Sequence, residues 1–169
     1  ELLDPPIRLQ FEDPKLLQML CGDHDRNLVR MEQKLNVTVA VRGDMLSIDG
    51  PVDAVNLAKS AVQGLVERIT QQKGQKGKSV EIADVDAAIA FAQADDSDDG
   101  LQAFAENRGS LATWKRPVVP RSPTQGEYLD KLQNNELVFG LGPAGTGKTY
   151  LAVAVAVAMM KRRQVDRII

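Results

Sequence analysis

"ELVFGLGPAGTGKTYLAVAVAV", residues 136–157, decides how the C-terminal third of this chain is expected to fold. A short apolar run, 136–142, enters a glycine-rich turn, and an alanine-rich run leaves it. The turn, Gly142-Pro143-Ala144-Gly145-Thr146-Gly147-Lys148-Thr149, satisfies G-x-x-x-x-G-K-[ST] at every fixed position. It also lies where that motif has to lie, between a strand pattern and a helix pattern. Glycines let the backbone bend closely around phosphate oxygens, so that amides from about Ala144 to Thr149 point inward. Pro143 has no N–H and serves only to shape the turn. The helix that follows aims its positive end at the same spot.

The spacing therefore predicts a nucleotide site built from Gly142, Pro143, Ala144, Gly145, Thr146, Gly147, Lys148, Thr149 and Tyr150. Lys148 and Thr149 carry the chemistry: the ammonium for the β- and γ-phosphates, the hydroxyl for Mg²⁺. A chance match somewhere in a chain of this size and ordinary composition arises at roughly 0.5%. In the run that follows, Leu151, Val153, Val155, Val157 and Met159 alternate as a strand would. Alanine at every second position and the basic end, Lys161 to Arg163, favour helix. "VDRII", 165–169, reads as the start of a further parallel strand, so the chain is expected to be part of a longer parent.

Working toward the N-terminus, Ile7, Leu9 and Phe11 alternate with Arg8 and Gln10 as in a half-buried strand. Asp13 and Pro14 have the form of a cap and a first helical residue, opening a short helix to Cys21. Gly22-Asp23-His24-Asp25 is a tight polar turn. A second helix runs from Asn27 to Leu35, with Leu28, Met31 and Leu35 on one face. "NVTVAV" and "MLSIDG", separated by Arg42-Gly43-Asp44, read as a hairpin or two adjacent strands. Val55, Ala58, Val62, Leu65 and Ile69 then recur at helical spacing from Val52 to Ile69.

"QQKGQKGK", 71–78, is polar and glycine-interrupted, the pattern of a linker. Residues 79–107 hold eight acidic side chains and no Lys or Arg. A helix from Asp84 to Gln93 is expected within them, and the "DDSDD" run at 95–99 reads as a solvated loop rather than a metal site. The resulting division is 1–72, an acidic linker at 73–110, and 111–169.

Composition limits the function classes. The chain is 169 residues long, 43% hydrophobic but only 4% aromatic, so Val, Leu, Ile and Ala must fill the core. A formal net charge of −2 argues against a basic nucleic-acid surface over the whole chain, though not against a local patch. The lone Cys21 cannot form an internal disulfide and reads as a small buried apolar residue. His24 has no companion His or Cys and reads as a turn residue rather than a ligand or base. The longest apolar run, Tyr150 to Met160, is shorter than the roughly 18 to 20 residues needed to cross a bilayer, and the opening Glu-Leu-Leu-Asp-Pro-Pro has no leader pattern. A cytoplasmic protein without a membrane partner is expected.

Two resemblances add to this reading. "VVPRSPTQGEYLDKL", 118–132, together with the phosphate loop, resembles the PhoH family, the phosphate-starvation-inducible ATPases of bacteria. The order strand, helix, helix, strand, strand, helix over 7–70 resembles a type I KH domain. The implied fold class is α/β: an α+β KH-like domain, βααββα, followed by the beginning of a P-loop NTPase domain with a parallel sheet. The PhoH ATPase core is similar to superfamily 1 helicases, in which a glutamine before the P-loop reads adenine. Gln125 stands at that place, with an amide that can address N6 and N7.

Tyr128, one turn later, is expected nearby, and Arg121 is expected to be solvated. The resemblance implies ATP and Mg²⁺ as ligands, and hydrolysis in the parent, whose Walker B acid and arginine finger lie outside this chain. A KH domain grips single-stranded RNA with a G-x-x-G loop. Here that loop is Gly22-Asp23-His24-Asp25, whose two acids oppose a phosphate backbone, partly offset by Arg26, Arg30, Lys34 and Arg42. Single-stranded RNA, an RNA-processing protein and a second copy of the chain all stay open as partners. A binding module controlled by nucleotide, with little hydrolysis, is the alternative function.

Overall fold

The computed structural model describes residues 6–71, 79–94, 98–114 and 117–169, with the backbone alone at 98 and 99. The chain divides into two compact units, Glu1–Glu106 and Asn107–Ile169.

The first unit opens with β1 (Ile7–Gln10), α1 (Pro14–Cys21), a 3-10 turn at Asp23–Asp25 and α2 (Arg26–Leu35). It continues through β2 (Thr38–Arg42), β3 (Met45–Asp49) and α3 (Val52–Gln71), giving the expected βααββα order. The Asp13 side chain accepts a hydrogen bond from the Lys15 N–H at 3.0 Å, and Pro14 follows it, so α1 begins where a cap and a preset φ direct it to begin. All pairings in the sheet are antiparallel, in the order β1-β3-β2. Gly43, at φ +64°, opens the two-residue turn between β2 and β3, a conformation that side chains resist. Leu46 and Ile48 of β3 are fully buried and face the helices. Val55, Ala58, Val62, Leu65 and Ile69 are all buried along one stripe of α3.

The unit does not end with α3. The segment 73–110, expected as an acidic linker with a helix at 84–93, instead contains α4 (Ile82–Ala94) and α5 (Asp98–Ala105). Val85, Ala88, Ile89, Phe91, Ala92 and Phe104 are buried in the same core as α1 to α3. The physical reason is that its apolar residues enter the core and two of its acids find cationic partners. Asp86 takes a two-pronged contact from Arg30 of α2 at 2.8 and 2.9 Å, and Asp84 meets Arg68 of α3 at 3.3 Å. Net charge suggests a linker here, but the apolar residues between the acids dominate the packing. The expected linker at 71–78 lies, beyond Gln71, outside the described residues. The same holds for 95–97 of the acidic run.

The second unit contains α6 (Pro123–Asn134) and α7 (Lys148–Lys161), with an isolated antiparallel bridge between Leu111 and Val118. Leu151, Ala154, Val155 and Ala158 are buried against Leu129, Leu111 and Val118. Their spacing is that of a helix, which settles the strand-like alternation of this run. The expected strands at 136–142 and 165–169, and with them the parallel sheet, have no ladder partner among the described residues. Leu137, Phe139 and Leu141 are 74%, 80% and 93% exposed. A parallel strand is stabilised by neighbours that take up its backbone groups and cover both faces, and here the run lacks both.

Candidate nucleotide site

The site is made from the starts of two helices in the second unit. Ser122 caps α6: its hydroxyl accepts from the Gln125 N–H at 3.3 Å, and Pro123 occupies the first position. The Gln125 side-chain oxygen accepts from the Arg121 N–H at 2.8 Å. This is close to the reciprocal arrangement that S-x-x-Q encodes, shifted by one residue at the returning bond. The other end of the Gln125 amide donates to the Thr146 carbonyl at 3.2 Å, which brings α6 onto the phosphate loop.

Helix α7 starts differently. Its cap is Gly147, in the left-handed region at φ +85°, with no side chain to accept from the first amides. The helical ladder begins with the Leu151 N–H on the Gly147 carbonyl at 2.9 Å. Amides before that point have no partner within the helix. They point toward the turn, with the positive end of the helix dipole behind them. Gly142 and Gly145, at φ +149° and +80°, allow the loop to close around that end.

Lys148 bends back over the loop. Its Nζ donates to the Gly142 carbonyl at 2.9 Å, the Pro143 carbonyl at 2.6 Å and the Thr146 Oγ1 at 3.1 Å. Thr146 Oγ1 in turn donates to the Pro143 carbonyl at 3.1 Å. The ammonium is thus held against the loop's own oxygens, on the turn that leads into α7. Thr149 and Tyr150 sit in the first turn of α7, both exposed, so the Thr149 hydroxyl is open to a cation brought in with an anion. The donor set fits a Mg²⁺-bound polyphosphate: amides and an ammonium for the oxygens, one hydroxyl for the metal.

The structure therefore brings Gln125 together with Thr146 and Gly147. Tyr128 packs against Gly140 instead, close enough that a Cβ there would lie 3.0 Å from the phenol oxygen. The Arg121 residue is exposed, and its contribution to Gln125 is its backbone N–H.

The Gly22–Asp25 turn, the other candidate site, is strained. His24 and Asp25 both take left-handed φ, +54° and +57°, and Asp25 makes no side-chain cap for α2. A cavity of about 400 Å³ beside it is lined by Gln18, Met19, Gly22, Asp23, His24 and Ser79. Arg26, Lys34 and Arg42 are exposed, whereas Arg30 is engaged by Asp86. Cys21 is buried, and burial, with a smaller contribution from the Asp25 carboxylate, pushes its thiol pKa up. Among the described residues no group of three or more His, Cys, Asp or Glu is placed to hold a metal.

Two features of these regions have no simple sequence pattern. Asn27, at the start of α2, is 1% exposed, with its amide donating to the Leu20 and Val80 carbonyls at 2.9 and 3.0 Å. Arg30 finds Asp86 across 56 positions of sequence. The start of α6 did have a signal, the S-x-x-Q spacing of Ser122 and Gln125.

A profile of the PhoH-like protein family matches residues 117–169, the stretch that carries the loop and Gln125. The PhoH-like protein of Bacillus subtilis is 32% identical over 160 residues, covering 95% of this chain and 48% of that protein. The chain belongs to the PhoH-like family. The PhoH-like protein of Mycobacterium tuberculosis is 31% identical over 167 residues, covering 98% of this chain and 46% of its own length. The PhoH protein of Escherichia coli is 36% identical over 70 residues, 41% of this chain and 19% of that protein. The chain thus spans about half the length of the curated PhoH-like relatives it matches. No solved structure matches. Among the described residues no helix is long and apolar enough to cross a membrane.

Proposed function

We propose that this chain carries the nucleotide-gripping part of a Mg²⁺-dependent ATPase, with the phosphates on Gly142–Thr149 and the adenine on Gln125. One observation carries the reading. The start of α7 has no side-chain cap, and Lys148 holds its ammonium against the same turn. An anion with several oxygens would satisfy both, and a polyphosphate does so better than a single carboxylate. Thr149 would hold Mg²⁺, which, when bound, neutralises the phosphate charge. Lys148 would leave its loop carbonyls for the β- and γ-oxygens, and Gln125 would orient the base. In the full-length protein, water would attack the terminal phosphorus, with the acidic and arginine groups supplied by the remaining length.

The test is ATP binding by the full-length protein with and without Lys148→Ala. Loss of at least about tenfold in affinity is expected, the scale of a charge-assisted contact to phosphate. Undiminished affinity and turnover would remove the loop from the mechanism.

Coupling of this cycle to RNA metabolism through the KH-like unit belongs to the same proposal. A second reading is favoured by one contact. Arg30 is held by Asp86, and Asp23 and Asp25 bring negative charge to the turn where a nucleic-acid backbone would lie. Nucleotide occupancy would then control docking of a protein partner, with slow hydrolysis. ATPase rates with and without single-stranded RNA separate the two: stimulation supports the first, and its absence supports the second.

A further inference from the structure

The Gln125 amide spends half of its bonding capacity within the chain. Its oxygen accepts from the Arg121 N–H at 2.8 Å, and its nitrogen donates to the Thr146 carbonyl at 3.2 Å. Both partners are backbone groups of fixed polarity, one donor and one acceptor. A flipped amide would lose both bonds, so the orientation is determined by the structure. One N–H and one oxygen lone pair are left over. Those two are what the N7 and N6 positions of adenine require, so reading a base does not consume the bond to Thr146.

Thr146 is no ordinary loop residue. Its hydroxyl accepts from Lys148 Nζ at 3.1 Å and donates to Pro143 at 3.1 Å, and it lies between Gly145 and Gly147. Both glycines take positive φ, which their missing Cβ permits, so no side chain on either side of Thr146 holds the turn. A bond at the Thr146 carbonyl therefore anchors that part of the turn to α6, a helix held at its start by the Ser122 cap and Pro123. The Gln125 nitrogen also lies 3.4 Å from where a Cβ on Gly147 would stand, so the amide rests directly over the cap of α7.

We propose that Gln125 is a positioning residue for the phosphate loop, bracing it through Thr146 whether or not a base is bound. The binding consequence rests on the nucleotide reading above, while the brace is made by the chain's own groups. Loss of the brace lowers affinity for phosphates that carry no base at all, which a residue dedicated to adenine would not do.

The test compares Gln125→Met and Gln125→Glu with the unaltered chain by two readouts. The first is amide hydrogen exchange over residues 144–148 without ligand. The second is titration with Mg²⁺ and inorganic tripolyphosphate, a probe without a base. Met preserves the length of the side chain and removes both bonds. Glu preserves the acceptor for Arg121 and removes the donor to Thr146. Faster loop exchange by about two- to tenfold in both variants is expected, the range of one net hydrogen bond, with a similar loss of tripolyphosphate affinity.

If Glu behaves as the unaltered chain while Met does not, the role is confined to the start of α6 and the brace fails. Unchanged loop exchange in both variants also overturns it. If tripolyphosphate fails to bind even the unaltered chain, the nucleotide reading falls, and the exchange comparison still decides the brace.

Discussion

Asn27 and Cys21 lie close together at the junction of α1 and α2, and they satisfy burial in different ways. The Asn27 amide spends its two protons on carbonyls from Leu20 and Val80, while its Oδ1 has no protein partner. A buried amide bonded on one side costs less than an orphaned one and still directs which segments meet. Cys21 has its thiol removed from water with the Asp25 carboxylate nearby, and both effects disfavour thiolate. Because the folded-state pKa is raised, the group supports the fold fully below the ordinary thiol range, and that support is lost as the pH rises through the folded value. Two outcomes follow at mildly alkaline pH. A thiol reagent should react with the folded chain more slowly than with free cysteine, and denaturant should abolish the difference. Stability against urea should also fall less between pH 8 and 10 in Cys21→Ala than in the unaltered chain; equal falls would show that the thiol does not titrate in this way.

The helices show why some elements can be read from sequence and others cannot. Asp13-Pro14 and Ser122-Pro123 are local signals, since a cap and a preset φ act within a few residues, and both mark true helix starts. The stripe on α3 is equally local. The phosphate loop is legible because three glycines with positive φ have to precede Lys148 if the amides are to converge. Helix α5 is another matter, since what holds it is on α3. Gly64 lies beneath it: a Cβ there would meet Leu101 at 3.1 Å and Phe104 at 3.4 Å. The Phe104 ring is also covered by the Arg68 guanidinium at 4.7 Å. No window around residues 98–105 contains that information.

The same packing predicts that Gly64→Val destabilises the first unit by about 1–3 kcal/mol, as overfilled helix contacts do. The better helix propensity of a non-glycine residue, worth up to about 1 kcal/mol, works against this. Urea unfolding measures the balance, and a more stable variant would mean that α5 does not rest on Gly64. The run at 136–142 fails in the opposite sense. Val138 and Phe139 are strand formers, but a strand is a relation between segments, and among the described residues none pairs with the run.

At the scale of the molecule, the decisive question is where the first unit ends. The glycine-rich stretch after α3 and the acids beyond it suggest a boundary near residue 72, whereas the contacts place it at Glu106. The two boundaries have different energetic consequences. Stopping at 72 removes Val85, Ile89, Phe91 and Phe104 from the core, four large apolar side chains that are each at most 6% exposed. Burial of such a side chain contributes about 1.5–3 kcal/mol, so together they represent roughly 6–12 kcal/mol, comparable to the whole stability of an ordinary domain. Truncation also leaves Arg68 without Asp84 or Phe104, and Arg30 without Asp86. A fragment of residues 1–72 should therefore lack a cooperative thermal transition and bind dyes that report exposed apolar surface, whereas residues 1–106 should melt cooperatively. Equal midpoints for the two fragments would show that α4 and α5 only decorate a core complete without them.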